Sequence, residues 1–518
     1  MKLKIYGVAG VLILRSLLFL FSYSNYGYFL DEFYYLSGAH RPGAGYVDHP
    51  PFSIWLMRLQ IDLFGDSLLS IRFIPFLAAQ ISIVLSAMIT NRLRGGAASV
   101  VLASFTVGLI PVMLGLTKFY SMNSLDLLFW AVAIYLYLDC LEKNRWYHWT
   151  GLGLVLGFAL LNKYGILMLG AGFFLGMIFT HHRIKFLSPG PYITAFLSVL
   201  IFLPHLLWQI EQDWPSLEFM KNASLFKNYF QPGAFMSGLI LEWNPMTLPL
   251  WFAGLVGLLW FRNDSSWRAL GLCVVTAVVV ALLGRGKSYY IAPLIFILIP
   301  AGSILLFQWQ ESMQDWMRNR NTMKWLSGTW LPVYCIGIGI SGMALAPLSL
   351  PLLSPKRYIA YEEFLGLQPP RFEKHSRGSM PQHFAGMFGW NELQQEVQGI
   401  YDKLSPNERK HTIIVARNYG LAGALDFLSL RDKLPAVGSG HNSFYLWGLP
   451  RPEVGPVRKI IFVGFQLEDL ANHFSEIQVV GQVLCEECMS YRRQTTLILA
   501  GHPRIRLQDL WPLLRMYI

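Results

Sequence analysis

Charged side chains are scarce. Asp, Glu, Lys and Arg make up 14% of the 518 residues, against about 25% in soluble proteins. Cysteine is scarcer still, with five in the chain, too few for a disulfide-stapled secreted scaffold. The chain has no P-loop, and its one G-x-G-x-x-G match, Gly337–Gly342, sits inside an apolar run, so nothing supports nucleotide binding. Internal repeats, low-complexity tracts and long charge blocks are also missing, which excludes solenoids, collagen-like fibres and disordered tails.

What the chain has instead is apolar residues, 54% of the total, and aromatics, 15%. That composition indicates an integral membrane protein. The charge is unevenly spread. Residues 1–349 hold 23 Lys+Arg and 15 Asp+Glu; residues 350–518, under half as long, hold 19 and 16. The expected division is therefore a transmembrane domain at 1–349 and a water-facing domain at 350–518. The net charge of +11 lies mostly in short loops of the apolar part. It points to membrane orientation and anionic lipid, not to nucleic acid.

Runs of the length a bilayer core requires, roughly 17–25 residues, occur near 5–23, 71–90, 97–116, 125–141, 191–210, 246–261, 268–283, 291–308 and 328–349. The stretch 147–180 is too long for one span and is interrupted by Lys163, so it is expected to form two short helices meeting at Leu161–Gly165. The total is about eleven spans. The first run holds Arg15 and is followed by no A-x-A site, which favours a retained helix over a cleaved signal.

Alternate loops then fall into two sets. One carries Lys2, Lys4, Arg92, Arg94, Lys143, Arg145, Arg183, Lys185, Arg262, Arg268, Arg318, Arg320 and Lys324, and the positive-inside rule assigns it to the cytoplasm. The other must lie outside. It holds Asp31, Glu32, Asp48, His49, Lys118, Asp126, Lys163, Glu211, Asp213, Arg285 and Lys287, and the domain after 349. Ionisable groups at membrane depth are costly unless they pair or line a cavity, so their gathering on one face marks a functional surface. Within the long outer loop 24–70, residues 51–64 have helical apolar spacing and read as an amphipathic interfacial helix.

In the C-terminal domain, Thr412–Ala416, Lys459–Phe465, Gln478–Leu484 and Thr495–Ala500 are rich in strand formers, and Leu421–Leu430 and Leu467–Ile477 have helical patterns. The alternation predicts a small α/β domain. Cys485 and Cys488 form one CxxC. Zinc needs more ligands; outside the cytoplasm the two can bridge each other.

Leu30-Asp31-Glu32-Phe33-Tyr34-Tyr35 followed by Tyr46-Val47-Asp48-His49-Pro50-Pro51 resembles the polytopic glycosyltransferases of the GT-C fold. The likeness is to the protein O-mannosyltransferase and lipid A aminoarabinose transferase superfamily. Phe119–Asp126, Leu160–Gly165 and Gly286–Pro293 resemble further segments of that superfamily, in the same order, and the likeness spans most of residues 1–310. His49 departs from the aminoarabinose transferases, which carry Lys before Pro-Pro, and agrees with the mannosyltransferases.

The resemblance implies a GT-C-like helical membrane protein with an outward α/β domain, multi-pass in the inner membrane. It implies transfer of a sugar from a polyprenyl-phosphate donor to a hydroxyl on lipid A, another envelope glycan or a protein, with inversion. Asp31 is then the base, and Glu32 supports it or orients the acceptor. His49, Asp48, Asp126, Lys163, Arg285, Lys287 and Tyr290 hold the donor's phosphate or sugar. Ala416–Gly420 and Ser439–Gly448 are similar to an outer-domain segment of some bacterial members, which points to His441, Asn442, Tyr445 and Trp447 for acceptor contact. A divalent ion on Asp31, Asp126 or a nearby His stays open.

Plainer readings exist for the same residues. Asp31-Glu32 can cap a helix, His49-Pro50-Pro51 can start one, Asp126 can sit on a helix dipole, Lys163 can snorkel, and Tyr289-Tyr290 can be belt aromatics. A transporter or flippase of lipid-linked sugars is the rival class, but such proteins place ionisable groups near the midplane and often show inverted repeats. The orientation itself is testable. Alkaline phosphatase fused after residue 518 should be active in cells, and the same enzyme fused within 91–96 should be inactive; the reverse pattern would overturn the assignment.

Overall fold

The computed structural model describes residues 2–261, 264–320, 324–368, 373–374, 378–431 and 433–518. Arg262 lies outside the described residues, as do the side chains of Arg318, Arg320 and Lys324. The chain divides into two compact units. One comprises Met1–Tyr23, Arg72–Leu206 and Phe230–Leu352, and the other Ser24–Ile71, Leu207–Tyr229 and Leu353–Ile518. The loop expected outside, 24–70, thus belongs to the same unit as the C-terminal region.

The first unit is helical. Among the described residues seven helices are long and apolar enough to cross a membrane: Lys2–Ser22, Leu68–Arg92, Met122–Lys143, Gly190–Glu211, Ser265–Leu283, Ser288–Trp316 and Trp330–Ser349. The bent pair Ile166–Ile178 and His181–Leu187 would make an eighth, and Ala97–Leu109 and Pro245–Trp260 are shorter apolar helices. The chain is a multi-pass membrane protein. The interruption at Lys163 falls where the sequence places it, between helices Trp146–Asn162 and Ile166–Ile178.

Helices in lipid gain little from the hydrophobic effect and rely on close packing. Gly172 and Gly176 supply it between helices Ile166–Ile178 and Ser265–Leu283: a Cβ at Gly176 would lie 2.7 Å from the Ala269 carbonyl oxygen, and one at Gly172 2.8 Å from Cys273 Cα. Charges are paired at one helix end, where Arg92 Nε lies 2.6 Å from Asp139 and its NH2 3.0 Å from Glu142, and Lys143 lies 3.1 Å from Asp139. Arg15, near the middle of its helix, donates to the Thr117 hydroxyl and not to a carboxylate.

The second unit contains a five-stranded mixed sheet in the order β2-β1-β3-β5-β4. Its strands are β1 (Thr412–Ala416), β2 (Val437–Ser439), β3 (Lys459–Val463), β4 (Phe474–Leu484) and β5 (Gln494–Pro503). β1 pairs parallel with β2 and β3, while β5 runs antiparallel to β3 and β4. All five residues of β1 are buried, as expected of a strand covered on both faces. One expected element differs. Only Leu467–Leu470 is helical, and the chain is extended from Phe474. The stretch 474–484 holds β-branched Ile477, Val479 and Val480 and pairs along β5, so cross-strand pairing outweighs a helical spacing carried by few residues. Cys485 and Cys488 are bridged; Cys140, Cys273 and Cys335 are free.

Two helices of this unit set its functional geometry, Leu30–Ala39 and Tyr419–Ser429. Their approach needs a residue without a side chain: a Cβ on Gly423 would lie 3.0 Å from the Phe33 carbonyl carbon and 3.1 Å from Tyr34 N. Arg41 forks onto buried Asp426 across the same pair, at 2.6 and 2.8 Å. Gly423→Leu should therefore push the helices apart and lower the thermal unfolding midpoint of purified protein. Asp426→Ala should do so as well, through the unpaired Arg41. A midpoint unchanged in both would refute this account of the packing.

Candidate active site

Helix Leu30–Ala39 begins with the acidic pair. Glu32, fully buried, turns back so that its Oε2 accepts the Phe29 N–H at 2.8 Å. It satisfies one of the orphan amides of a helix start and thereby supports the turn that presents Asp31. Asp31 stays partly accessible, and its Oδ1 accepts from the Tyr419 hydroxyl at 2.9 Å. Burial raises its pKa to about 6; Asp48 and Glu373 push the same way, while the Tyr419 bond and Lys227 oppose them. Tyr419 is locked in turn, because Asn418 caps its helix through a bond from Leu421 N–H at 3.0 Å.

The Asp48-His49 segment lies in the same unit. Asp48 Oδ1 accepts from the Tyr34 hydroxyl at 2.7 Å, and that hydroxyl is also 2.7 Å from Ser443 Oγ. The Tyr34 and Tyr419 rings lie 4.9 Å apart, so Asp31 and Asp48 are joined by one aromatic wall. His49 is buried and stacks on Tyr35 at 4.9 Å with 9° between planes. Its Nδ1 lies 2.8 Å from the Pro50 carbonyl. A carbonyl can only accept, so Nδ1 carries the hydrogen, and Nε2 is left with no hydrogen-bond partner among the described residues.

The four residues expected near the acceptor diverge. His441 accepts the Tyr419 N–H on Nδ1 at 3.4 Å and meets the Ile518 oxygen through Nε2 at 2.8 Å. Burial lowers its pKa to about 3, so the ring is neutral. Asn442 is spent on Met516 and Ile518, and Tyr445 stacks on Trp511. Trp447 faces the aromatic wall, 6.2 Å from Tyr34 and 6.5 Å from Tyr46, with Arg41 over its ring at 5.0 Å.

The other candidates belong to the helical unit. Lys163 leaves the break between two helices, and its Nζ lies 3.0 Å from both Asp126 Oδ2 and Asn123 Oδ1. Asp126 Oδ1 accepts from Trp130 Nε1 at 3.1 Å, so both carboxylate oxygens are engaged. Lys163 Nζ lies 5.2 Å from the Tyr290 ring centroid and 6.0 Å from that of Tyr289. Lys287 is half-buried at the start of the short helix Ser288–Leu294. Arg285 is exposed, in left-handed backbone at φ 50°. Asp126, Lys163 and Tyr290 are thus brought together, with Lys287 three residues from Tyr290 in sequence. Among the described residues no group of three His, Cys, Asp or Glu is placed to hold a metal.

Comparison with known proteins agrees with this architecture. The profile of the dolichyl-phosphate-mannose-protein mannosyltransferase family matches residues 48–208, which include Asp48, His49, Asp126 and Lys163. No curated protein matches the sequence. ArnT of Cupriavidus metallidurans, solved with undecaprenyl phosphate, superposes with a TM-score of 0.59 over 95% of this chain and 97% of its own, at 13% identity. The chain has the GT-C fold. AglB, an archaeal oligosaccharyltransferase from Archaeoglobus fulgidus solved with an inhibitory peptide and a dolichol-phosphate, has a TM-score of 0.51 over 90% of this GT-C chain and 70% of its own, at 11% identity.

Tyr34, Tyr419 and Ser443 lie within the motifs quoted above but carry no role in the sequence alone, and Glu242, whose Oε1 accepts from Ser288 Oγ at 2.6 Å, lies in none of them. Glu242 had a readable signal: it is the only charged residue of helix Pro232–Glu242. For the Lys163–Asp126 pair, breaking a buried ion pair from one side costs about 3–5 kcal/mol. Lys163→Met should lower the unfolding midpoint, and adding Asp126→Asn should restore most of it. A double variant no more stable than the single one would show that the pair does not act as a unit.

Proposed function

We propose that the chain transfers a sugar from a polyprenyl monophosphate to an acceptor hydroxyl at the outer face of the inner membrane, with residues 350–518 outside the cytoplasm. The observation that carries this is Asp31, a partly accessible carboxylate on a Tyr419 hydrogen bond with its pKa raised to about 6, in a GT-C-fold chain. A general base works best with a pKa not far below the operating pH.

In this reading Asp31 takes the proton of the acceptor hydroxyl as its oxygen attacks the anomeric carbon. The bond from that carbon to the phosphate oxygen breaks, and the phosphate leaves with the electron pair. The leaving group departs ionised and needs no acid. It needs cations and donors in place, which is electrostatic stabilisation of developing charge. Lys163, Arg285, Lys287 and the Tyr290 hydroxyl take that role, and Asp126 holds Lys163. One displacement inverts the anomeric centre. His49 Nε2 and Asp48 are assigned to the sugar end of the donor. Trp447, with its face beside Tyr34 and Tyr46, is assigned to an acceptor glycan, lipid or protein segment, as a planar surface suits a sugar ring. Undecaprenyl phosphate in ArnT and dolichol-phosphate in AglB support a lipid-phosphate donor.

The test is transfer of radiolabel from polyprenyl-phosphate sugars by purified protein. Asp31→Asn should lower the rate by about 10²–10⁴-fold, the usual span for a lost general base, with donor binding intact; full activity would remove Asp31 from the mechanism. Lys287→Met should weaken donor binding about tenfold or more, and unchanged affinity would remove Lys287 from the phosphate site. The wild-type rate should fall as pH drops through about 6, where Asp31 gains its proton. Tyr419→Phe deletes a bond that stabilises the carboxylate, so it should move that acidic limb to higher pH. A limb that stays in place would separate Asp31 from the titration.

A further inference from the structure

The polar cluster of the helical unit contains two carboxylates, and they differ in one respect. Asp126 has both oxygens occupied, by Lys163 and Trp130. Glu242 has one occupied, by the Ser288 hydroxyl at 2.6 Å. Its Oε2 is sealed from solvent and has no hydrogen-bond partner among the described residues. A buried carboxylate oxygen without a partner is expensive, and it persists where it serves a ligand.

Position supports that role. Ser288 follows Lys287 directly and opens the short helix Ser288–Leu294, whose next two residues are the tyrosines beside Lys163. With a rise of about 2 Å per residue in such a helix, Ser288 and Tyr290 are about 4 Å apart along its axis. Glu242 is therefore a near neighbour of the group assigned above to the leaving phosphate. Its own helix comes close to Ser288 because residue 238 is glycine: a Cβ there would lie 3.3 Å from Ser288 Oγ.

The chemistry narrows the ligand. An unpartnered carboxyl oxygen accepts hydrogen bonds; the oxygens of an ionised phosphate only accept, whereas sugar hydroxyls donate. Polyprenyl chains have neither donor nor acceptor. We propose that Glu242 is a specificity-determining contact for the sugar of the donor: its Oε2 accepts a hydroxyl of the ring while the neighbouring cations hold the phosphate. The inference rests on the lipid-phosphate-sugar reading above and goes further by assigning the sugar end to a residue in the helical unit.

Binding separates the two claims. Purified full-length protein is titrated with sugar-free undecaprenyl phosphate and with undecaprenyl-phosphate-linked mannose, glucose, galactose and 4-amino-arabinose. If the wild type binds none of these lipids, the lipid-phosphate reading fails. If it binds them, at least one sugar-bearing lipid should bind more tightly than the sugar-free one. Glu242→Gln, nearly the same shape, should lose that advantage by tenfold or more while its affinity for sugar-free undecaprenyl phosphate stays within twofold of wild type. Glu242→Ala should behave the same way, which guards against an accommodating amide. Equal losses for both lipids would mark Glu242 as structural. A loss confined to the sugar-free lipid would mark a phosphate contact. No loss, or a wild type that does not distinguish the lipids, would also overturn the inference.

Discussion

The hydrogen bond between the Tyr419 hydroxyl and Asp31 joins residues 388 positions apart, and the candidate site depends on it. A carboxylate that serves as a base must be removed from water far enough to hold a proton near neutrality, yet remain an acceptor at working pH. Burial pushes Asp31 upward and the tyrosine pulls it back. The same bond fixes the direction of the carboxylate. Around it the supports are layered: Glu32 holds the helix start, Asn418 caps the opposite helix, Gly423 lets the two helices meet, and Arg41 with Asp426 binds them at their far ends.

The helical unit meets the opposite demand. Charge in an apolar surrounding must be matched, and most of the polar groups described there are. Arg92 and Lys143 share Asp139, Lys163 has Asp126 and Asn123, and Lys118 reaches the Ser349 carbonyl at 3.0 Å. Against that background an incompletely partnered group stands out. Glu242 Oε2 and His49 Nε2 are two such sealed atoms, one in each unit.

Much of this could be read from the chain. The break at Lys163, the helix over 52–64 and strand β1 follow from hydropathy and turn residues. Glu32 is an instructive partial case. Its position as a possible cap was legible, but that its oxygen turns back to the Phe29 amide is a matter of rotamer and burial. His441 and Asn442 show the limit. Their density of hydrogen-bonding groups was legible, but that His441 Nε2 meets the Ile518 oxygen, and that Asn442 Oδ1 accepts the Ile518 N–H, was not. Nothing local to residues 439–448 could report that. The run 467–477 failed for a related reason: its spacing suits a helix, but β5 is there to pair with it.

Local and additive properties were determined by the amino-acid order alone. These are which segments are apolar enough for a bilayer, which loops carry positive charge, and which acids and bases are too costly to be incidental. Each depends on residues within one or two helical turns. Partnership was decided only in three dimensions: Tyr419 for Asp31, Ser443 for Tyr34, Ser288 for Glu242. A hydrogen bond depends on fractions of an ångström between groups far apart in sequence, and that distance is set by how whole helices pack.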